Sequence, residues 1–309
     1  MAQQKLRRKR AGGIKHWGPG LLLISPSIIL VGIFVYGLIF ANFWTSMQDT
    51  HTAAQVSGVE PSNFVGLENF ITLLTKPEFQ TSLWHLLLFT VTFLAGTLLL
   101  GFLWAWLLEK PIKGEGIFRA TFLFPMSVSF IASGVVWRWL LSSDVDDKAT
   151  GLNRFFQMIG LDFLQNSWTQ SLQWGILAIT VPAIWQLAGY VMALFLAGFR
   201  GIPAELREAA RIDGANEWQL YKNIIFPQLT PIALSAVIII GHMSLKSFDL
   251  IISITSKDWF QTRVPAVDMY AYLNVQDYSN SAAVGAILLL LVAVLVIPYL
   301  IHDSKESRR

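Results

Sequence analysis

The chain has 309 residues, of which 54% are hydrophobic and only 14% are charged. Soluble domains carry about 25% charged residues, so this composition excludes an ordinary water-soluble enzyme, and its apolar richness also excludes a disordered chain. The lack of cysteine excludes a disulfide framework and thiolate metal sites, and a net charge of +3 does not imply nucleic-acid binding.

Six stretches are apolar and long enough to cross a bilayer, which requires about 20 residues in a helix. Helices are expected because lipid-exposed backbone must satisfy its own hydrogen bonds, and the many short alternating segments of a barrel are missing. The predicted fold class is therefore all-α, a polytopic membrane protein with six transmembrane helices. The predicted spans are residues 21–43, 82–108, 118–141, 172–199, 229–254 and 281–301.

Lysine and arginine are unevenly distributed between the segments that join these spans, and cytoplasmic segments carry the excess. With the N-terminus inside, sixteen basic residues lie in cytoplasmic segments and five in external loops. Both termini are therefore predicted to be cytoplasmic. The predicted organisation is a basic tail over residues 1–19 that favours anionic lipid, a six-helix transmembrane domain over 20–301, and a short tail over 302–309.

The first predicted span is longer than the core of a signal peptide, and no small-x-small cleavage site follows it, so an uncleaved helix is preferred. In the first external loop, residues 45–81, an apolar stripe of Phe70, Leu73 and Leu74 predicts a short amphipathic helix on the outer membrane surface. Three aspartates in the second external loop lack the glycine and final glutamate of an EF-hand, which favours a solvated loop over a calcium site.

The loop between the fourth and fifth spans, residues 200–228, carries several local helix signals. Pro203 suits the first turn of a helix, and residues 204–213 are good helix formers. Gly214 is well placed to end that helix in a left-handed conformation. A short helix is therefore predicted immediately before Gly214.

A second helix is predicted after it, because Asn216 with Gln219 three residues later has the pattern of a capping box. Pro227 is expected to end or kink this helix before the fifth span. The resulting hairpin presents a small surface that another protein could approach, or it lies on lipid as an ordinary interfacial hairpin. The candidate surface comprises alanines Ala209 and Ala210, apolar anchors Leu206 and Ile212, and a polar rim of Glu205, Arg207, Glu208 and Arg211.

This loop resembles the EAA loop that characterises the membrane subunits of ATP-binding-cassette (ABC) importers. The one departure is Phe226, where leucine is usual. Together with the six-span layout, the loop makes the chain similar to the MalF-type permeases of sugar importers, which implies a type I ABC importer permease fold with a cytoplasmic coupling helix. The resemblance is carried by Glu208-Ala209-Ala210, Gly214, Ile224 and Phe226-Pro227, with weaker support from residues 64–67, 122–125 and 202–203.

The resemblance implies that residues 204–213 form a coupling helix that sits in a groove of a cytoplasmic ATPase subunit. Glu208 is implied to engage that groove electrostatically, and Gly214 to set the angle between the two helices. The sequence has no G-x-x-x-x-G-K-[ST] phosphate loop, so a non-catalytic chain is expected, with no cofactor of its own and with ATP and Mg on the partner ATPase subunits. The implied coupling residues are Glu205, Leu206, Glu208, Ala209, Ala210, Arg211, Asp213 and Gly214.

The function that follows from the resemblance is that of a permease forming half of a translocation pathway for a sugar or oligosaccharide. The implied partners are a second permease of different sequence, two cytoplasmic ATPase subunits and an extracytoplasmic substrate-binding protein. The implied location is the lipid bilayer of a prokaryotic plasma (inner) membrane, and no nucleic-acid partner is expected.

Polar groups inside the spans are candidates for the passage, because placing them in lipid is costly. Gln186 and Tyr190 lie four residues apart in the fourth span, so they share a helix face, and Trp185 is adjacent. Sugars are bound through hydroxyl hydrogen bonds and apolar ring faces, which these side chains suit. Interhelical hydrogen bonding explains Gln186 and Tyr190 equally well.

In the third span, Ser129 follows Pro125 and is a further candidate, together with Ser127 and Ser133. Serines in helices more commonly bond back to helix carbonyls, and that alternative stays open. Arg138 lies between two tryptophans near the outer end of this span, where snorkelling beside an aromatic belt is the preferred interpretation.

In a straight fifth span, His242, Lys246 and Asp249 fall on one stripe. Ser244 and Ser247 fall roughly opposite, so both sets cannot face one narrow passage. The family resemblance places substrate-facing positions near 244 and 247, whereas the cost of buried charge favours the other stripe and a Lys246–Asp249 pair. Both sets are retained as candidates.

Two rival functions differ from an ABC permease. The first is a secondary transporter or channel that uses Lys246 and Asp249 for ions, and it predicts transport without ATPase subunits. The second is an integral membrane enzyme, which the scattered histidines and the lack of H-E-x-x-H and G-x-S-x-G motifs disfavour.

Overall fold

The structure, a computed structural model, describes residues 18–110, 112–172, 174–256 and 260–306. Helices dominate these residues, and within them the one extended pairing is an isolated bridge between Gln48 and Phe64. Most of the predicted basic N-terminal tail lies outside the described residues, so its role in topology stays a prediction. The C-terminal helix continues to Glu306, past the predicted end of the last span at residue 301.

Five helices within the described residues are long and apolar enough to cross a membrane. A bent pair, Glu115–Ser127 and Phe130–Leu140, gives a sixth crossing if it is counted as one broken span. These helical crossings confirm the predicted all-α class. We number them first to sixth in chain order. The five single helices are Gly20–Ser46, Pro77–Leu107, Gly175–Gly201, Glu217–Leu245 and Tyr278–Tyr299.

The third span is not the straight helix predicted over residues 118–141. Its two halves meet at 95°, and Val128 between them has extended backbone, with φ −82° and ψ 136°. Pro125 lies inside the first half, where it can neither donate the helical hydrogen bond nor avoid crowding the preceding turn. The helix ends two residues later, at Ser127.

The fifth span also differs from its prediction over residues 229–254, because it runs from Glu217 to Leu245. Pro227 does not end this helix. A π-helical segment, Tyr221–Ile225, ends two residues before the proline and joins the second helix of the hairpin to the span. The predicted last part of the span is a separate short helix, Asp249–Ile254.

The fourth span forms the centre of the bundle and packs mainly against the second span. It also approaches the first half of the third span closely at Gly189. A Cβ atom added there would lie 1.9 Å from the carbonyl oxygen of Phe122, so only glycine fits. This close approach fixes the broken third span against the centre.

The amphipathic helix predicted in the first external loop is present as Glu68–Thr75, but its position is not the predicted one. Leu73 is fully buried and packs with Phe79 and Val284 rather than facing lipid, whereas Leu74 is exposed. The helix therefore covers the protein itself, near the start of the sixth span.

The first span makes few contacts along most of its length. Its most apolar window is 0% buried by the rest of the chain. Only its last part packs against the sixth span, where the Asn42 side chain donates a hydrogen bond to the carbonyl of Ala282 at 3.0 Å. The first span is therefore attached to the bundle at one end.

Candidate functional site

The hairpin of residues 200–228 contains the predicted short helix, Ala204–Ile212, with Pro203 at its N-cap. Gly214 has a left-handed conformation at φ +81°, as predicted, and a Cβ atom there would meet nothing within 4 Å. Glycine is therefore required by the backbone angle and not by lack of space. The amide of Ala215 donates to Ala210 at 2.9 Å and that of Gly214 to Arg211 at 3.1 Å, which completes a Schellman motif.

The second half of the hairpin is capped as its sequence predicted. The Asn216 side chain accepts from the Gln219 amide, and the Gln219 side chain accepts from the Asn216 amide, both at 2.9 Å. Across the turn, Arg211 forms an exposed ion pair with Glu217 at 2.9 Å. Local hydrogen bonds thus fix the angle between the two helices of the hairpin.

One face of the Ala204–Ile212 helix points away from the bundle. Ile212 is 86% exposed, which leaves a large apolar side chain uncovered by this chain. Ala210 lies on the opposite face and is buried in the main core. The exposed face consists of Glu205, Glu208, Ala209 and Ile212, which are spaced as one helical stripe, and Leu206, Asp213 and Gly214 are also exposed beside it.

Arg207 does not belong to this face, which corrects the predicted polar rim. Its guanidinium forms an ion pair with Glu109, just beyond the second span, and also contacts the carbonyl of Phe199 at 3.4 Å. The side chain of Glu109 is 7% exposed. Arg207 therefore holds the hairpin helix against the bundle.

A second candidate site lies inside the bundle, where the broken third and fifth spans meet. A cavity of about 240 Å³ opens between the two breaks. Lys246, Ser247 and Asp249 contribute its polar groups, at the junction between the fifth span and the short Asp249–Ile254 helix. Its apolar walls are Phe93, Phe130, Ala183, Leu187, Met243, Phe248 and Leu250.

The break in the fifth span overturns the expectation that two opposite stripes compete for one passage. Because the helix ends at Leu245, Lys246, Ser247 and Asp249 no longer follow helical spacing and line the same cavity. Ser244 is elsewhere: it is fully buried, and its hydroxyl bonds to Thr90 Oγ1 at 2.9 Å and to the Gly241 carbonyl at 2.7 Å. Of the five residues on the two predicted stripes, three therefore line the cavity, Ser244 packs between helices, and His242 lies outside the cavity lining.

Gln186 and Tyr190 do not line this cavity. Gln186 is buried, and its amide nitrogen donates to the carbonyl of Val128 at 2.7 Å, at the break in the third span. This bond satisfies a carbonyl that the broken helix leaves open, so it matches the interhelical alternative. Tyr190 is partly buried against the main core. Ser129 is exposed at the same break, at the N-cap of Phe130–Leu140 and next to the cavity residue Phe130.

Arg138 has a defined partner at the end of the bundle opposite the hairpin. Its Nε donates to the carbonyl of Ile254 at 2.9 Å, and its Nη2 to that of Thr255 at 3.2 Å. A cation at the C-terminus of a helix is favourable because the last carbonyls have no helical partners. Arg138 therefore caps the short helix that forms one wall of the cavity.

Sequence reasoning missed the aromatic walls of the cavity, Phe93, Phe130 and Phe248. Phe93 and Phe130 belong to apolar spans and have no distinguishing neighbours in the sequence. Phe248 offered a signal, since it stands between Ser247 and Asp249 in a polar interruption of an otherwise apolar stretch.

Residues 97–307 match the family described as the binding-protein-dependent transport system inner membrane component. A probable ABC transporter permease protein of Pyrococcus horikoshii is 38% identical over 292 residues, which cover 94% of this chain and 97% of that protein. The trehalose/maltose transport system permease protein MalF of Thermococcus litoralis is 28% identical over 283 residues, with 91% and 92% covered.

Among solved structures, a bacterial ABC transporter involved in the import of the acidic polysaccharide alginate has a similar chain, with a TM-score of 0.76 and 22% identity. The match covers 96% of this chain and 98% of that chain, so the same helical fold extends over nearly the whole length of both. The family match covers more than half of the sequence, and the first relative is similar from end to end. The chain therefore belongs to the family of binding-protein-dependent transport system inner membrane components, the membrane-spanning permeases of ABC transporters.

Proposed function

We propose that this chain forms half of the translocation pathway of an importer for a sugar or oligosaccharide. The cavity between the two broken spans carries the proposal, because it combines aromatic and apolar walls with an ammonium, a hydroxyl and a carboxylate. Sugars are recognised by this mixture of ring-stacking surfaces and hydrogen-bonding groups. The relatives that transport trehalose, maltose and alpha-glucosides support the substrate class.

The size of the cavity supports a pathway shared with a second permease. Its volume of about 240 Å³ lies below the range of about 300–1,000 Å³ usual for small-molecule sites. A partner chain of different sequence would supply the facing wall and enlarge the space to that of an oligosaccharide. The first span, uncovered over most of its length, offers a further surface for lipid or for that chain.

Energy is proposed to enter through the hairpin. The exposed stripe that includes Glu208 and Ile212 has the combination of charge and apolar anchor that suits docking into a groove of an ATPase subunit. Two such subunits would bind ATP and Mg, and their movement would rock the spans between inward-open and outward-open states. This chain itself binds no cofactor in the proposal.

The excess of lysine and arginine on the hairpin side supports a cytoplasmic hairpin and cytoplasmic termini in a prokaryotic plasma membrane. The opposite end of the bundle, which carries Arg138 and the Glu68–Thr75 helix, would then face an extracytoplasmic substrate-binding protein. A bacterial alginate transporter of the same fold has been solved with its periplasmic protein, which supports such docking here.

The proposal is tested by purification of the chain from its native membrane, followed by identification of the proteins that remain bound. We expect an ATPase and a second permease. ATP hydrolysis by that complex in vesicles, with its binding protein present, should rise with one or a few members of a panel of mono- and oligosaccharides.

Two results would contradict the proposal. Transport of a sugar or ion by the chain alone, without an ATPase, would favour a secondary transporter or channel. A complex whose hydrolysis responds to amino acids or other solutes, and to no sugar of the panel, would retain the ABC assignment and reject the substrate class.

A further inference from the structure

A hydrogen-bonded chain of four side chains joins the hairpin helix to two spans. Trp106 Nε1 donates to the hydroxyl of Tyr221 at 3.0 Å, and that hydroxyl donates to Glu109 Oε2 at 2.7 Å. The other carboxylate oxygen of Glu109 faces the guanidinium of Arg207. The second span, the fifth span and the hairpin helix thus meet at one carboxylate.

The burial of this pair distinguishes it from the other ion pairs of the hairpin. Glu109 and Arg207 are 7% and 23% exposed, whereas Arg211 and Glu217 are 59% and 67% exposed. A buried carboxylate must be paired, and removing its partner leaves an uncompensated charge. An exposed pair is screened by water and holds its two elements only weakly. Glu109 with Arg207 is therefore the firm attachment of the hairpin helix.

The two spans that share this carboxylate also line the cavity. Phe93 belongs to the second span, about 20 Å along the helix from its end at Leu107. Met243 belongs to the fifth span, which contains Tyr221 near its start. A displacement of the hairpin helix is therefore applied, through Arg207, to two of the helices that line the cavity.

We propose that Arg207 and Glu109 are positioning residues that transmit movement of the hairpin helix to the cavity, with Glu109 held in place by its hydrogen bond from Tyr221. The inference rests on the proposed ATP-driven function, because it assigns to these residues the path by which a docked ATPase changes the cavity. These residues are distinct from the proposed docking face, since Arg207 points toward the bundle and not toward the ATPase.

The test uses a chain that has no cysteine of its own. A single Ser247→Cys change places a thiol in the cavity, and its reaction rate with a water-soluble maleimide reports access to that cavity. The rate is measured in the purified complex with ATPase subunits, with and without a non-hydrolysable ATP analogue. In this parent background we expect the analogue to change the rate by about tenfold.

In the same background, Arg207→Met should abolish the nucleotide response while the ATPase subunits stay bound. The charge swap, Arg207→Glu with Glu109→Arg, should restore most of the response. The matched control is Arg200→Met, which removes another cation at the same end of the bundle, one that pairs with Glu115 at 2.6 Å and is 43% exposed. This control should keep the full response.

An unchanged response in Arg207→Met overturns the proposal, and so does a parent complex whose labelling ignores nucleotide. If the Arg207→Met complex loses its ATPase subunits, the charge-swap variant decides. The proposal is also overturned if the charge-swap variant fails to bind the ATPase subunits, or if it binds them without restoring the nucleotide response. Failure of the parent chain to copurify with any ATPase would instead reject the proposed function.

Discussion

The hairpin and the intramembrane cavity are two functional regions built in opposite ways. The hairpin is fixed by bonds between residues a few positions apart, such as the Asn216–Gln219 capping box and the Schellman motif at Gly214. The cavity is formed by breaks in two spans that distant residues stabilise. Gln186 donates a hydrogen bond to the carbonyl of Val128, and Arg138 donates one to the carbonyl of Ile254. A docking element can therefore be specified locally, whereas a passage through a bundle depends on how whole helices pack.

The largest expected effect separates docking from folding at the hairpin. Glu208 is exposed and lies on the outward stripe, so Glu208→Arg should leave the fold intact and reverse the charge offered to an ATPase groove. We expect sugar uptake to fall about 100-fold with little change in melting temperature. The control is Lys113→Glu, at an exposed residue of a neighbouring turn, which should retain uptake. Undiminished uptake in Glu208→Arg would remove the hairpin from the mechanism.

The next effect tests whether the cavity lies on the transport passage. Lys246→Leu and Ser247→Leu each remove a polar group that faces the cavity. A hydrogen bond to a charged group is worth about 1.5–3 kcal/mol, so transport by Lys246→Leu should fall at least about tenfold, and Ser247→Leu should lose less. The comparison is Thr230→Leu, an exposed change on the same span away from the cavity, assayed in the same vesicles. Normal transport by both cavity variants would show that the passage lies elsewhere.

The packing that maintains the break in the third span is tested by Gly189→Ala. The new methyl group would meet the Phe122 carbonyl at 1.9 Å, and backbone cannot move aside cheaply. We expect a loss of about 1–3 kcal/mol in stability, measured as a lower melting temperature in detergent. Gly116→Ala adds a methyl group in open space on the same bent pair and should be neutral or slightly stabilising. Equal melting temperatures for the two variants would contradict the close approach of the helices.

A smaller, local effect is expected from Gly214→Ala. The added methyl group meets no neighbour, so the cost comes only from the left-handed backbone at φ +81° and amounts to about 1 kcal/mol. Amide hydrogen exchange should rise in residues 204–220 and stay unchanged around the cavity. Increased exchange throughout the bundle would mean that the hairpin is less independent of long-range packing than its bonds indicate.

The smallest effect concerns Asp268, which combines a local partner with deep burial. Burial raises the pKa of this carboxyl above its usual value of 3.8, and the neighbouring Arg263 only partly opposes the shift. The carboxyl of Asp268 then binds a proton more tightly in the folded chain than in the unfolded chain, so its contribution to stability falls as the pH rises from 3.8 through the raised pKa and is constant above it.

An asparagine side chain cannot titrate. The melting temperature of Asp268→Asn minus that of the parent should therefore increase by about 2 °C as the pH rises over this same window. Arg263→Met should be more harmful, because it leaves the buried carboxylate without its cation. A melting-temperature difference between Asp268→Asn and the parent that does not vary with pH would exclude the raised pKa.

The hairpin was predictable from the sequence because its determinants are short-range. Pro203, Gly214 and the Asn216–Gln219 pair each act within one turn. The structure has Gly214 and the Asn216–Gln219 pair where their patterns placed them, and Pro203 at the N-cap, directly before the predicted first turn. Arg207 was the exception there, since its partner, Glu109, is almost a hundred residues away in the chain.

The cavity was only partly predictable. Lys246, Ser247 and Asp249 were recognised by their polarity, but their relation to Ser244 was wrong because a continuous helix was assumed. A helix breaks inside a membrane only where other groups satisfy the freed backbone, and those groups come from distant spans. The side-chain amide of Gln186, which donates to the Val128 carbonyl, is such a group, and no local sequence pattern predicts this bond.

The bond between Asn42 and Ala282 has a consequence for biogenesis, because it joins residues 240 positions apart. Two further bonds, of 2.7 and 3.0 Å, connect the backbone of Thr50 with Ser279. The C-terminal end of the first span and the segment after it are therefore held by the start of the sixth span. During translation the first span cannot form these bonds until the sixth span has been synthesised, so this contact between the two helices forms late in biogenesis.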